Sequence, residues 1–306
     1  MNVPVIGADA LARLLSMEAA IDALEAGFGS SRMPDAPMRT HLSTSAGSLL
    51  LMPAFGSQGV GVKLVTLTDA NPGRGLPFLH ALYLLFEERT QAPVAVFDGA
   101  ALTALRTGAV SGLATRHLAR ADAKRLVIFG AGVQARSHLE AMRAVRPVEE
   151  LVIVSRSLGR AEALVAGAAA VGLRASVGVG SAVRGADLVC TCTTSQTPVV
   201  LGEDLAPGVH VNAVGAYTPS MREVDTEAVR RAKLVVETRM AALAEAGDLL
   251  IPMETGAIGE DHIVTDLPGL LAGVPVRTAP EDITLFKSVG VAFEDLIVAR
   301  AAVDRL

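Results

Sequence analysis

The chain has 306 residues, more than the usual single domain of about 100 to 200, so two lobes are the default expectation. Its 51% hydrophobic and 19% charged residues exclude a disordered chain and describe a core-rich globular protein. A net charge of −5 without any cluster of Lys and Arg speaks against a nucleic-acid partner, and the lack of an apolar run of about 20 residues speaks against a membrane span; with no basic stretch leading into an apolar segment at the N-terminus, the cytoplasm is the expected location.

The first 30 residues read as helix, with Ala10–Leu15 followed by Met17–Phe28, where Ala20, Ile21, Leu24 and Phe28 recur at helical spacing and Ser16 with Glu18 marks a fresh start. From Met38 to Val96 short apolar runs separated by Gly and Pro predict an antiparallel sheet, including Ser48–Met52, Gly61–Leu67 and His80–Phe86. Residues 99–119 return to helical spacing. The polar stretch Arg120–Arg125 then reads as a hinge before a βαβ rhythm with strands expected at 126–129, 151–155, 187–192, 209–214 and 233–236, the pattern of a doubly wound sheet. An Ala/Gly-rich helix is expected near 161–172. The tail from Phe286 to Leu306 reads as a final amphipathic helix, with Ala292, Leu296, Ala299 and Val303 on one face. Cys190 and Cys192 lie in an apolar strand with no second pair for zinc, so no metal site is expected and both read as core residues.

The chemistry-bearing pattern begins at Leu126. An apolar, β-branched run breaks into Gly130, Ala131, Gly132, Val133, Gln134 and Ala135, the spacing of a dinucleotide-binding turn, in which small residues let the backbone approach a pyrophosphate at a helix N-terminus. About 20 residues later the second strand ends on Ser155, Arg156 and Ser157, where an NAD site usually carries Asp or Glu. Two hydroxyls and a guanidinium suit a ribose 2′-phosphate, so NADP(H) is the expected cofactor. Thr193 and Thr194, with Thr191 and Ser195, lie at the end of the third of these strands, and Asn212–Tyr217 at the end of the fourth, where such sheets bind ligands.

Five segments carry a resemblance: Phe129–Ala135, Val211–Ala216, Leu285–Gly290, Leu105–Ala109 and Gly61–Lys63. In order and spacing, through nearly the whole chain, they resemble the ornithine cyclodeaminase and μ-crystallin family. The resemblance implies a Rossmann-type doubly wound sheet plus a discontinuous α+β lobe that binds substrate and makes a homodimer. The lobes are expected at 119–287 for the dinucleotide and at 1–118 with 288–306 for the substrate. It further implies that Arg39 and Arg106 hold a substrate carboxylate, that Lys63 stands beside the reacting nitrogen, and that His80, Thr107, Val214 and Ser288 lie along the cofactor. These roles suit the groups, because a guanidinium binds a carboxylate through paired hydrogen bonds and a buried ammonium readily gives up a proton. Only four lysines occur, so one inside the apolar strand Gly61–Val65 stands out. The structural alternatives are a snorkelling Lys63 at a sheet edge, a loop position for Arg39, a surface ion pair for Arg106 and a core role for His80.

Two departures bear on the reaction. Cyclodeaminases carry an acidic residue where this chain has Leu50, and an aspartate where it has Tyr217. Both losses count against ornithine cyclisation and favour the ketimine reductase branch. The expected function is NADPH-dependent reduction of cyclic imino acids, such as pyrroline-2-carboxylate or piperideine-2-carboxylate, to cyclic amino acids. The rivals are an alanine-dehydrogenase-like reductive amination, an amino acid cyclodeaminase, and a non-catalytic cofactor-binding protein.

Overall fold

The computed structural model describes residues 3–306 and divides into two compact units, residues 3–106 with 291–306 and residues 107–290. In chain order the first unit opens with β1 (Val5–Ile6), α1 (Ala8–Leu14) and α2 (Met17–Phe28), whose Ser16 cap accepts from the Ala19 N–H. Strands β2 (Thr40–Thr44), β3 (Gly47–Gly56), β4 (Gly59–Leu67), β5 (Leu79–Phe86) and β6 (Pro93–Asp98) follow, and Asp98 caps helix α3 (Gly99–Leu118) through the N–H groups of Ala100 and Ala101. The boundary at Arg106 falls inside α3, and the sequence expectation of 118 marks only where that helix ends.

The second unit continues with β7 (Arg125–Phe129), α4 (Val133–Val145), β8 (Glu150–Val154), α5 (Leu158–Ala170), β9 (Arg174–Val177), β10 (Leu188–Thr191), β11 (His210–Ala213), α6 (Thr226–Arg231) and β12 (Lys233–Val236). It closes with α7 (Arg239–Glu245), α8 (Gly247–Glu254), β13 (Ile263–Asp266), α9 (Leu267–Leu271) and β14 (Thr284–Lys287). Helix α10 (Ala292–Val303) returns to the first unit.

The first unit is a six-stranded sheet in the order β1-β6-β5-β4-β3-β2, antiparallel except for the β1–β6 pair. Alternation puts Leu50, Met52, Gly61, Lys63, Val65, Tyr83 and Leu85 on its buried face, against which α10 packs, with α2 packed in turn on α10. Phe28 and Phe293 meet edge-to-face at 4.9 Å there, and Gly27 lets the two helices close up, since a Cβ would fall 2.3 Å from the tip of Ile297. The opposite face carries Leu42, Phe55 and Leu82, each more than two-fifths exposed, and the edge strand β2 is exposed throughout.

The second unit is an all-parallel eight-stranded sheet in the order β13-β12-β14-β11-β10-β7-β8-β9. From β7 the chain proceeds one way to β8 and β9 and then crosses to β10 and β11 on the other side. The switch point of a doubly wound fold therefore lies between β7 and β10.

Two sequence expectations are corrected. The stretch 120–125 is no hinge: Asp187 pairs with Arg120 and accepts the backbone N–H groups of Lys124 and Arg125 at 2.9 Å, fastening the polar segment to the sheet. The helix expected in the tail is present but begins only at Ala292, because residues 284–287 form a central strand between β11 and β12. Nor is α10 amphipathic, for Glu294 and Asp295 are as buried as its aliphatic residues.

Candidate functional sites in the two units

In the second unit a cleft of about 1000 Å³ opens beyond the carboxyl ends of β7, β8 and β10. The turn after β7 forms its floor. Gly130 has φ +108° and donates its N–H to Val154, and a Cβ there would lie 2.4 Å from the Cys192 carbonyl oxygen. Only glycine fits on both counts. Gly130→Ala is expected to destabilise this unit by about 1–3 kcal/mol, seen as a lowered Tm in thermal unfolding. Gly132 caps α4 with no side-chain bond to the helix start, so the first-turn N–H groups and the positive end of the helix dipole are left for an anion.

The side chains expected along a cofactor fall as follows. Ala131, Ser155, Arg156, Ser157, Thr193 and Thr194 line the cleft, joined by Arg160, Ser195 and Thr197. No carboxylate stands at the end of β8, and Arg156 and Arg160 are exposed there. Val133 is exposed at the start of α4; Gln134 is half-buried and its Oε1 has no hydrogen-bond partner among the described residues. Thr107 is buried with its Oγ1 unpartnered among the described residues, Val214 is buried, and Ser288 is buried with its hydroxyl donating to Glu237. The glycine turn and the open helix start fit a diphosphate-bearing nucleotide, whereas Thr107, Val133, Gln134, Val214 and Ser288 are not among the residues that line the cleft. Cys192, expected in the core, is half-buried and borders the cleft, whereas Cys190 is a core residue.

Buried carboxylates shape this end of the sheet. Glu223 accepts from the Thr191 and Thr193 hydroxyls and from the N–H groups of Thr193, Gly215 and Ala216, joining the exit of β10 to the loop after β11. Asp248 accepts from the N–H groups of Glu223 and Val224 and pairs with Lys287 at 2.9 Å. Glu237 receives the N–H groups of Val289 and Gly290. None of the three was identifiable from local sequence, because each binds backbone distant in the chain.

The first unit holds the other candidate site. Lys63 is 1% exposed, so it does not snorkel; its Nζ lies 2.7 Å from Asp295 Oδ2. Burial pulls its pKa from the usual lysine range down to about 8, helped by the charges of Arg106 and Arg39 and opposed by Asp295. Arg106 is buried, pairs with Glu294 at 2.8 Å, and brings Nε to 3.5 Å from Asp295 Oδ1. Arg39, half-buried in the segment before β2, acts on the same ammonium. Three cations thus face two carboxylates on one side of the sheet. His80 is exposed on the opposite face, paired in register with Thr66, so it is not a core histidine. The sequence reading missed Glu294, Asp295 and Tyr83, whose buried hydroxyl lies over Gly61 with no hydrogen-bond partner among the described residues. Two adjacent acids in the first turn of a largely apolar helix were the available signal.

The ornithine cyclodeaminase/mu-crystallin family model matches residues 5–306. The chain belongs to this family. Within it, a Delta(1)-pyrroline-2-carboxylate reductase of Bacillus cereus is 36% identical over 312 residues, covering 98% of this chain and 96% of the relative. The solved structure of the Thermococcus litoralis Delta(1)-pyrroline-2-carboxylate reductase in complex with NADH and L-proline superposes with a TM-score of 0.93 at 37% identity, covering 99% of this chain and 97% of that one. An archaeal alanine dehydrogenase dimer with bound NAD gives 0.92 at 32% identity, covering 100% and 96%. Family membership confirms the fold class expected from the sequence, a Rossmann-type sheet with an α+β companion.

Proposed function

We propose that this protein is an NADPH-dependent reductase of cyclic imino acids, taking Δ1-pyrroline-2-carboxylate or its six-membered homologue to the cyclic amino acid. The observation that carries the reading is the buried Lys63, flanked by two guanidinium groups and held at 2.7 Å from a carboxylate, in a family whose similar members reduce pyrroline-2-carboxylate.

Arg106 and Arg39 bind the substrate carboxylate by charge-assisted hydrogen bonds and fix the orientation of the ring. Lys63 keeps the imine nitrogen protonated, since an iminium carbon accepts hydride far more readily than a neutral imine. With a pKa near 8 the ammonium is charged at neutral pH yet surrenders its proton more easily than an ordinary lysine. When bound, the nicotinamide supplies the hydride that goes to C2. The proton from Nζ completes the new N–H, and Lys63 is then recharged from solvent. Leu50 lies on the buried face two positions from Met52, the register partner of Lys63, so an apolar surface stands where a diamino acid would need a counter-ion.

Preference for NADPH over NADH rests on Ser155, Arg156, Ser157 and Arg160 at the lip of the cleft and on the missing carboxylate after β8. A homodimer formed through the first unit is supported by its half-exposed apolar sheet face and open edge strand, and by the dimeric archaeal relative.

The deciding experiment follows nicotinamide oxidation with Δ1-pyrroline-2-carboxylate, and separately with pyruvate plus ammonium, each with NADPH and with NADH. The cyclic imine with NADPH is expected to give the highest kcat/KM, and Arg156→Ala to raise KM for NADPH while leaving that for NADH unchanged. Faster turnover of pyruvate plus ammonium would reassign the protein to reductive amination, and equal use of NADH would remove the phosphate assignment.

A further inference from the structure

We infer that Asp295 is the positioning residue of the reaction, holding the Lys63 ammonium in place and keeping it charged, while its neighbour Glu294 does the corresponding work for Arg106. This rests on the proposed role of Lys63 as proton donor and adds to it a division of labour within one dipeptide.

The geometry starts with the helix. Glu294 and Asp295 occupy the first turn of the 12-residue α10, where the helix dipole favours negative charge. Both are fully buried, a place that carboxylates occupy only when paired. Asp295 places Oδ2 at 2.7 Å from Lys63 Nζ and Oδ1 at 3.5 Å from Arg106 Nε, while Glu294 Oε2 lies 2.8 Å from Arg106 Nη1. Each carboxylate therefore has a principal cation, and Asp295 alone touches both.

The groups facing the Lys63 ammonium set the sign of the effect. From α3 comes Arg106 and from the segment before β2 comes Arg39, both of which disfavour a charged lysine, as does burial itself. From β5, Tyr83 stands opposite Lys63 in register, its hydroxyl kept in the neutral form by burial and by the Asp295 charge. Asp295 on α10 is the group that favours the ammonium, through both its charge and its hydrogen bond. Without it, burial and two guanidinium groups would leave Lys63 neutral at pH values where a proton is needed.

The test is the pH profile of kcat/KM for Δ1-pyrroline-2-carboxylate in the parent, Lys63→Met, Asp295→Asn and Glu294→Gln proteins. Activity requires protonated Lys63, so the parent profile should fall as pH rises through about 8. Asp295→Asn is expected to move that fall toward acid by about 1–3 pH units, the usual effect of one close opposite charge, with about a tenfold loss of rate per unit at fixed alkaline pH. Glu294→Gln should raise KM for the imino acid and leave the fall where it was. A merely structural Asp295 would lower activity at every pH without moving the profile, and that result would overturn the inference. If Lys63→Met keeps the parent rate, the proton-donor reading fails first, independently of Asp295. Should Asp295→Asn fail to fold, the Lys63→Met/Asp295→Asn double variant, which removes both charges, is expected to regain the Tm lost by either single variant; no regain would overturn the pairing.

Discussion

Lys63→Met should lower kcat/KM for cyclic imine reduction by about 10²–10⁴-fold, the usual contribution of a positioned general acid. Methionine keeps much of the length and apolar bulk of lysine on β4, so packing against α10 is retained and the change is chiefly the loss of the proposed proton donor. The buried Asp295 is not left wholly uncompensated, because Arg106 Nε remains 3.5 Å from its other oxygen. Binding of the nicotinamide nucleotide, followed by its fluorescence, should be little affected, since the glycine turn and its lining residues belong to the other unit. Both the loss and its selectivity matter. A variant that turned over at the parent rate would take Lys63 out of the chemistry, whereas equal losses in turnover and nucleotide binding would indicate general damage to the fold. The pH dependence of the parent supplies an independent check: with the acid form required, the rate holds below about pH 8 and declines above it.

The parts of this fold legible in the sequence were those whose signal is local. The strand at 125–129 could be read because a β-branched run meets a glycine that must adopt φ +108°, and helix α2 because its apolar residues recur every third or fourth position behind a serine cap. Lys63 and Arg106 were singled out through the family resemblance, and the rarity of a lysine inside an apolar strand only added weight to Lys63. The remainder depended on partners far away in the chain. Glu294 and Asp295 were passed over, because the cations that neutralise them lie 188 and 232 residues earlier. Strand β14 is four residues long and becomes a strand through parallel pairing on both sides, which nothing in Thr284–Lys287 announces. The polar run 120–125 had the composition of a linker and the fate of a docked segment, because Asp187 gathers its donors.

The other large effect expected is on stability. Glu223→Ala should destabilise the second unit by about 3–5 kcal/mol or more, the loss typical of breaking a buried charge network. The methyl group would leave five donors without their acceptor: the hydroxyls of Thr191 and Thr193 and the N–H groups of Thr193, Gly215 and Ala216. Each buried group left unsatisfied costs about 1–3 kcal/mol. The remaining charges suffer too: Lys287, which offsets the effect of burial on Glu223, would keep Asp248 as its anionic partner in an otherwise less negative pocket. For a unit of this size the loss corresponds to a fall in Tm of about 2–4 °C per kcal/mol, readable by calorimetry. Glu223→Gln, which keeps one acceptor oxygen but turns an NH₂ toward groups that also donate, should lie between parent and alanine. If Glu223→Ala melted with the parent, the carboxylate would be a passenger and the two loops would owe their arrangement to packing alone.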